Sequence, residues 1–232
     1  MTFDQIIVAA KSRAFDFGAD FPTTSLTLYR RIEIRESEIF GLANRANPDY
    51  FGKNLVGALT ARGDLNLASV DVVGSTVDPA STITRVEIED EGTHPKLQCG
   101  DKVTIISHAD PDAGISPRMW LRNFVLHGYK TDLDGVVSVC VYYGYRPAPR
   151  TLPHTGAETS ELPSVYQELL VIDLIGWMLR QSISMDPEKK AAAIGLLDGE
   201  ETKSMSGFMA EVQDYSGAQV SRFGSVVGGQ RT

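Results

Sequence analysis

Three ligand-type residues alternate in the segment HADPD: His108, Asp110 and Asp112. One imidazole and two carboxylates are a donor set for a divalent metal, and a metal-held water there could hydrolyse a substrate. Asp110-Pro111 followed by Ala113-Gly114 is turn chemistry as well, and no further cluster with ligand spacing accompanies it. The segment therefore reads as a loop, with a metal-dependent hydrolase as the alternative. Asp132-Leu133-Asp134-Gly135 has the opening of a calcium loop, but its twelfth position is Tyr143 where a bidentate Glu is needed, so it reads as a hairpin turn. His94, His127 and His154 are scattered, with no Cys or Ser in a nucleophile setting. Neither GxSxG nor GxxxxGK[ST] occurs, and Gly52–Gly57 lacks a dinucleotide fingerprint. Asp173 interrupts an apolar helix face and reads as a carboxylate on the polar edge or paired with an Arg. Tyr142, Tyr143 and Tyr145 read as the rim of a core rather than a stacking platform. Cys99 and Cys140 read as small apolar packers, since two cysteines in 232 residues make no disulfide scaffold. No catalytic, metal or cofactor site is expected, and the chain is not read as an enzyme.

Charge narrows the partners. The chain has 30 acidic and 22 basic residues, net −8. Residues 151–215 hold eleven acids against four bases, and residues 216–232 hold only Arg222 and Arg231. Such a chain lacks the basic footprint of a protein that grips phosphates, although DNA could slide past acidic walls without sticking. Glu188, Asp198, Glu200 and Glu201 are the candidates for such a surface. MTFDQIIVAAKSR carries Asp4 and no uninterrupted apolar run, so it does not read as a secretory signal. The most apolar stretch, 165–179, contains Glu168 and Asp173 and is too short to span a bilayer. A soluble protein, intracellular when made and without membrane contact, is expected.

The elements around these residues change grammar twice. Residues from about 3 to 17 form a first helix, with Thr2 and Gln5 at capping-box spacing and Ile7, Ala10, Ala14 and Phe17 on one face. A second helix spans about 26 to 45, with Leu28, Ile32, Ile39 and Ala43 at helical spacing. Its Arg30, Arg31, Glu33, Arg35, Glu36 and Glu38 are expected on a solvated or protein-contacting surface. From Asp64 to Tyr145 short β-branched runs appear at 70–73, 82–88, 103–106, 120–126 and 136–143, separated by turn clusters. The best hairpin joins 120–129 to 136–143. A third helix opens at Ser164 and Gln167, another capping-box pair, and carries Val165, Leu169, Ile172, Gly176, Leu179 and Ile183 in an apolar stripe widened by Leu170, Leu174 and Trp177. Asp186 and Pro187 start a fourth helix as N-cap and first residue. From Ser216 the chain is Gly/Ser-rich and reads as an extended tail.

The expected fold is α+β: a helical bundle from residues 1–60 and 160–215, with a small antiparallel β-sandwich or barrel inserted over 61–159 and a tail over 216–232. This order resembles the head-to-tail adaptor (connector) proteins of tailed bacteriophages. The matching features are the helix pair TFDQIIVAAKSRAFDFG and LTLYRRIEIRESEIFGLANR, a strand ending YYGYRPAP, a helix LPSVYQELLVIDLIGWML and a last helix begun by DPEKKAA. The 61–128 stretch is longer than in the compact helical members of that group. The resemblance implies a virion structural protein at the capsid–tail junction: a homo-oligomeric ring of twelve copies docked under the portal protein, offering a platform to the next neck or tail protein, with double-stranded DNA passing through unread. The tail residues Val220, Arg222, Phe223, Val226, Val227 and Arg231 are the candidate contacts with the portal or a neighbouring subunit. The alternative within structural proteins is a stopper or tail terminator, and from another class a sugar- or peptide-binding β module near Trp120.

Overall fold

The computed structural model describes residues 1–17, 24–67, 83–106, 117–123, 125–147, 150 and 155–215. The chain is α+β and divides into two compact units, Met1–Ala46 with Pro147–Thr232, and Asn47–Arg146. Its helices are α1 (Phe3–Asp16), α2 (Ser25–Ala46), the single turn α3 (Lys130–Leu133), α4 (Glu168–Gln181) and α5 (Pro187–Asp214).

In the first unit, α1 starts where the sequence predicts. The Thr2 side chain accepts the Gln5 N–H at 3.2 Å, and the Gln5 side chain accepts the Thr2 N–H at 2.8 Å. Two more orphan donors of this first turn are satisfied from afar: the N–H groups of Phe3 and Asp4 donate to the carbonyls of Glu158 (2.8 Å) and Gly156 (3.1 Å). Helix α1 buries Phe3, Ile6, Ala10 and Ala14, and α2 buries Leu28, Ile32, Ile39 and Ala43, as their helical spacing requires. Helix α4 touches α1, α2 and α5 and is buried on nearly every side, from Leu169 to Gly176 and again at Met178 and Leu179. It is the centre of this unit, and truncating any of its buried leucines to Ala would cost about 2–5 kcal/mol. At the start of α5 the Asp186 carboxylate accepts the N–H groups of Glu188 (3.0 Å) and Lys189 (3.1 Å), with Pro187 as first helical residue. Lys190 then reaches back to the carbonyls of Arg180 (3.0 Å) and Ser182 (2.9 Å), placing a cation on the orphan acceptors that end α4.

One expected boundary moves. The Ser164–Gln167 capping box does not form, because Pro163 leads into a 3-10 turn over Ser164–Tyr166. The Gln167 side chain is instead buried between the Leu162 carbonyl, to which it donates at 2.8 Å, and the N-terminal ammonium. Val165 lies in that turn and Ile183 beyond the helix, so both ends of the predicted stripe are exposed.

The second unit is a seven-stranded, nearly closed sheet with strands β1 (Gly52–Ala58), β2 (Leu65–Asn66), β3 (Ile83–Asp90), β4 (Lys102–Ile106), β5 (Arg118–Arg122), β6 (Val125–Gly128) and β7 (Ser138–Gly144) in the order β1-β7-β3-β4-β5-β6-β2. Val139, Val141 and Tyr143 of β7, which lies between β1 and β3, point into its core with Val86, Ile88 and Leu55, as strict alternation predicts. Three expectations are corrected. The stretch 52–58, expected within the helical 1–60 segment, is strand β1; its short, glycine-bounded GKNLVGA carries only Leu55 and Gly57 as an inward pair, a faint signal. The sheet is not wholly antiparallel, because β4 and β5 run parallel. The hairpin predicted between 120–129 and 136–143 is absent. Asn123, in the left-handed region at φ 49°, turns the chain inside that run, so β5 pairs with β6 while β7 pairs with β1 and β3. The run at 70–73 lies outside the described residues.

Candidate functional site

The HADPD segment with His108, Asp110 and Asp112 lies outside the described residues, as do His154 and the tail residues Val220, Arg222, Phe223, Val226, Val227 and Arg231. Among the described residues no cluster of His, Cys, Asp and Glu is arranged to hold a metal ion. Several described chemistry-bearing residues of the β unit are engaged within it. The Asp132 carboxylate receives the Arg118 guanidinium at 2.8 Å, with both side chains largely buried, while Gly135 makes a left-handed turn at φ 90°. The calcium-like spacing is thus a turn whose carboxylate is consumed by an arginine. His94 accepts the backbone N–H groups of Lys96 (3.2 Å) and Leu97 (2.9 Å) on one ring nitrogen, which folds the loop 94–97. His127 stacks on Trp120 at 4.2 Å and lies 3.2 Å from Asp64. Tyr143 is core, whereas Tyr142 lies under the Arg85 guanidinium and Tyr145 under the Lys53 ammonium. Burial, the neighbouring Cys140 and Glu87 push the Tyr142 hydroxyl up to about 12. Cys140 is buried and Cys99 exposed, both as free thiols.

The helical unit holds a charge network that sequence spacing does not reveal. Asp173, with a side chain only 7 % exposed, accepts Arg31 through two guanidinium nitrogens at 2.8 and 2.5 Å and lies 3.6 Å from Arg35. The hydrogen bond to Asp173 holds the Arg31 pKa above its ordinary range. Arg35 also binds Glu38 (2.9 Å) and Glu201, so one guanidinium ties α2 to α4 and α5. Arg13 of α1 joins Glu168 and, at 2.8 Å, Glu200. Arg180 holds Asp198 at 3.0 Å. Of the four acidic candidates, Asp198, Glu200 and Glu201 therefore face arginines of the same chain, and Glu188 has no ion pair among the described residues. The acidic excess of this segment is in good part internal neutralisation.

On α2, Arg30 and Glu38 are exposed, while Glu33 and Glu36 contact protein. Glu36 is 0 % exposed: one carboxylate oxygen accepts the Ser160 hydroxyl and the Glu161 N–H, each at 2.7 Å, and the other lies 2.8 Å from the Arg150 guanidinium in an ionic rather than well-aligned contact. Glu33 accepts the Arg150 N–H at 2.5 Å. Glu33 and Glu36 thus hold Arg150, Ser160 and Glu161 against α2. Apolar side chains also meet solvent: Val8 and Phe15, one heptad apart on α1 and 67 % and 78 % exposed, with Ile34 on α2 and Leu196 on α5.

No protein family and no curated protein matches this sequence with significance. No helix among the described residues is long and apolar enough to cross a membrane.

Proposed function

We propose that this protein is a structural ring component of a bacteriophage neck, a head-to-tail adaptor in which the four long helices form a bundle and the β unit is an insertion. The observation that carries the reading is the element order: both ends of the chain contribute to one helical unit while Asn47–Arg146 forms the other. That order is the one on which the sequence resemblance rests. The exposed Val8 and Phe15 support it further, because isolated apolar side chains a heptad apart on a rigid helix suit a helix-to-helix contact with a second copy. A head-to-tail contact of this kind closes into a ring when its rotation permits. In this role the protein carries no reaction; its work is to hold a portal on one side and a neck or tail protein on the other while DNA passes. The arginine partners of Asp198, Glu200 and Glu201 offset those three charges, and the net charge of −8 suits passage of phosphate without retention. The deciding experiment is the mass of the purified assembly, alone and with portal protein. A particle of about twelve 25.3 kDa chains, formed at least in the presence of portal, is expected. A monomer that never joins a portal overturns the proposal.

A further inference from the structure

Where β1 turns toward β2, the β unit holds a cavity of about 430 Å³ between two stretches of turn, residues 58–63 and 133–137. Hydrogen bonds fix both walls. In the first, Gly63 donates to the Thr60 carbonyl at 2.8 Å and Thr60 to the Asp64 carbonyl at 2.9 Å. In the second, Val136 donates to the Leu133 carbonyl at 3.1 Å, and the Gly135 carbonyl accepts Thr93 N–H at 3.1 Å. Leu59 donates to the Val137 carbonyl at 2.9 Å and ties one wall to the other. Gly128 locks them further: its N–H donates to the Gly63 carbonyl at 3.0 Å, and a Cβ there would fall 2.5 Å from that oxygen and from Leu133. The recess is therefore built into the backbone, as ligand sites usually are before a ligand arrives.

The lining selects a ligand class. Leu133 and Val136 are core side chains, Leu59 packs half-buried against that core, and Val137 stands 49 % exposed. Such a surface gains by covering an alkyl chain. Among the described residues of the lining Asp134 is the one charged group, with no Lys, Arg or His beside it. Its carboxylate has no ion pair or hydrogen bond among the described residues, and the carbonyls of Ala61 and Asp134 accept no backbone N–H there. An unpaired carboxylate repels an anion and favours an ammonium, which brings three donors and no acceptor. We infer that this cavity is a binding site for small linear aliphatic amines, with Asp134 holding the ammonium and Leu59, Leu133, Val136 and Val137 covering the chain.

Size and placement agree with that class. At about 30 Å³ for each water-sized group, the cavity holds about fourteen such groups, room for a linear amine. Asp134 is exposed whereas Leu133 and Val136 are buried, so the charged head stays wetted while the stem packs inward, as long amphipathic chains do. The unit as a whole reinforces the sign, since residues 47–146 hold thirteen acids against nine bases. All of these residues belong to one compact unit, and the site does not rest on the ring reading.

The test is a titration of the isotope-labelled full chain with pentylamine, read from backbone amide resonances in about 0.15 M salt, which screens surface charge. The amides of Ala61, Gly63 and Gly135 are expected to shift along one saturable curve. Pentanol and pentanoate share the stem but lack the ammonium, and are expected to bind at least about tenfold more weakly. Asp134→Asn keeps the shape of the site and removes its charge, raising the pentylamine dissociation constant about tenfold or more. Ala61→Leu, at an exposed turn position, narrows the cavity and weakens binding with the carboxylate intact; it decides alone should Asp134→Asn fail to fold. Three results overturn the inference whatever the ring mass proves to be: no saturable shift, pentanol binding as tightly as pentylamine, or variants that bind unchanged. Shifts of equal size at remote exposed acids such as Glu89 and Glu188 overturn it as well, because they mark unspecific attraction to an acidic surface.

Discussion

Removing the Asp173 carboxylate tests the charge network of the helical unit. The Asp173→Ala substitution leaves Arg31 without its bidentate partner and Arg35 with one fewer. Breaking a buried ion pair from one side costs about 3–5 kcal/mol, because the remaining charge stays desolvated. Two features of the site lower that figure. The Arg31 side chain is 27 % exposed and can partly rehydrate, and Arg35 keeps Glu38 and Glu201. The expected loss is therefore about 2–3 kcal/mol, or about 5–10 °C in Tm for a chain of this size. The two tryptophans allow each unit to be followed separately, with Trp177 on α4 and Trp120 on β5. In a Trp120→Phe background, urea unfolding followed by Trp177 fluorescence should show the midpoint falling with an unchanged slope. In an Arg31→Ala background the same Asp173 substitution should cost at least about 1 kcal/mol less, which isolates the pair. A loss below about 0.5 kcal/mol would refute the reasoning, since that is the worth of an ordinary solvent-screened surface pair.

Tyr166 donates to Glu211, and this hydrogen bond, with burial, pushes the phenol up to about 12. Its contribution to stability is thus complete below pH 10, where the unfolded phenol is protonated, and is lost as pH rises through about 12. Absorbance titration of tyrosinate should show a late component that Tyr166→Phe diminishes; an unchanged late component would count against the hydrogen bond. At Gly92, φ is 55° and an added Cβ would fall on the Gly135 carbonyl oxygen, so Gly92→Ala should cost about 1–3 kcal/mol of β-unit stability. The readout is the unfolding midpoint reported by Trp120, and no shift there would show that the turn relaxes freely.

Local signals carried much of the secondary structure. The Thr2–Gln5 box, the Asp186-Pro187 start and the alternation of Val139, Val141 and Tyr143 were legible because cap chemistry and side-chain period act within a few residues. Strand β1 escaped because Gly52 and Gly57 dilute its period, and the 120–129 run looked continuous because Asn123 alone turns it. The false hairpin followed from that, since sequence neighbours were assumed to pair while β7 in fact bonds residues 48 to 92 positions earlier.

Sequence by itself determined that this chain is α+β, that its helical period stops and resumes, and that Asp173 interrupts an apolar stripe. Tertiary structure decided what the charges do. The spacing of Arg31, Arg35, Glu33 and Glu36 is the same whether they face water or protein, and their partners Asp173, Glu201, Arg150 and Ser160 lie more than a hundred residues away. A charge pattern along a helix specifies which residues share a face, but not what that face is packed against. The packing of α2 against α4, α5 and the return segment decided which of these charges contact protein, because the cost of burying them can be met only by partners that the fold brings from elsewhere in the chain.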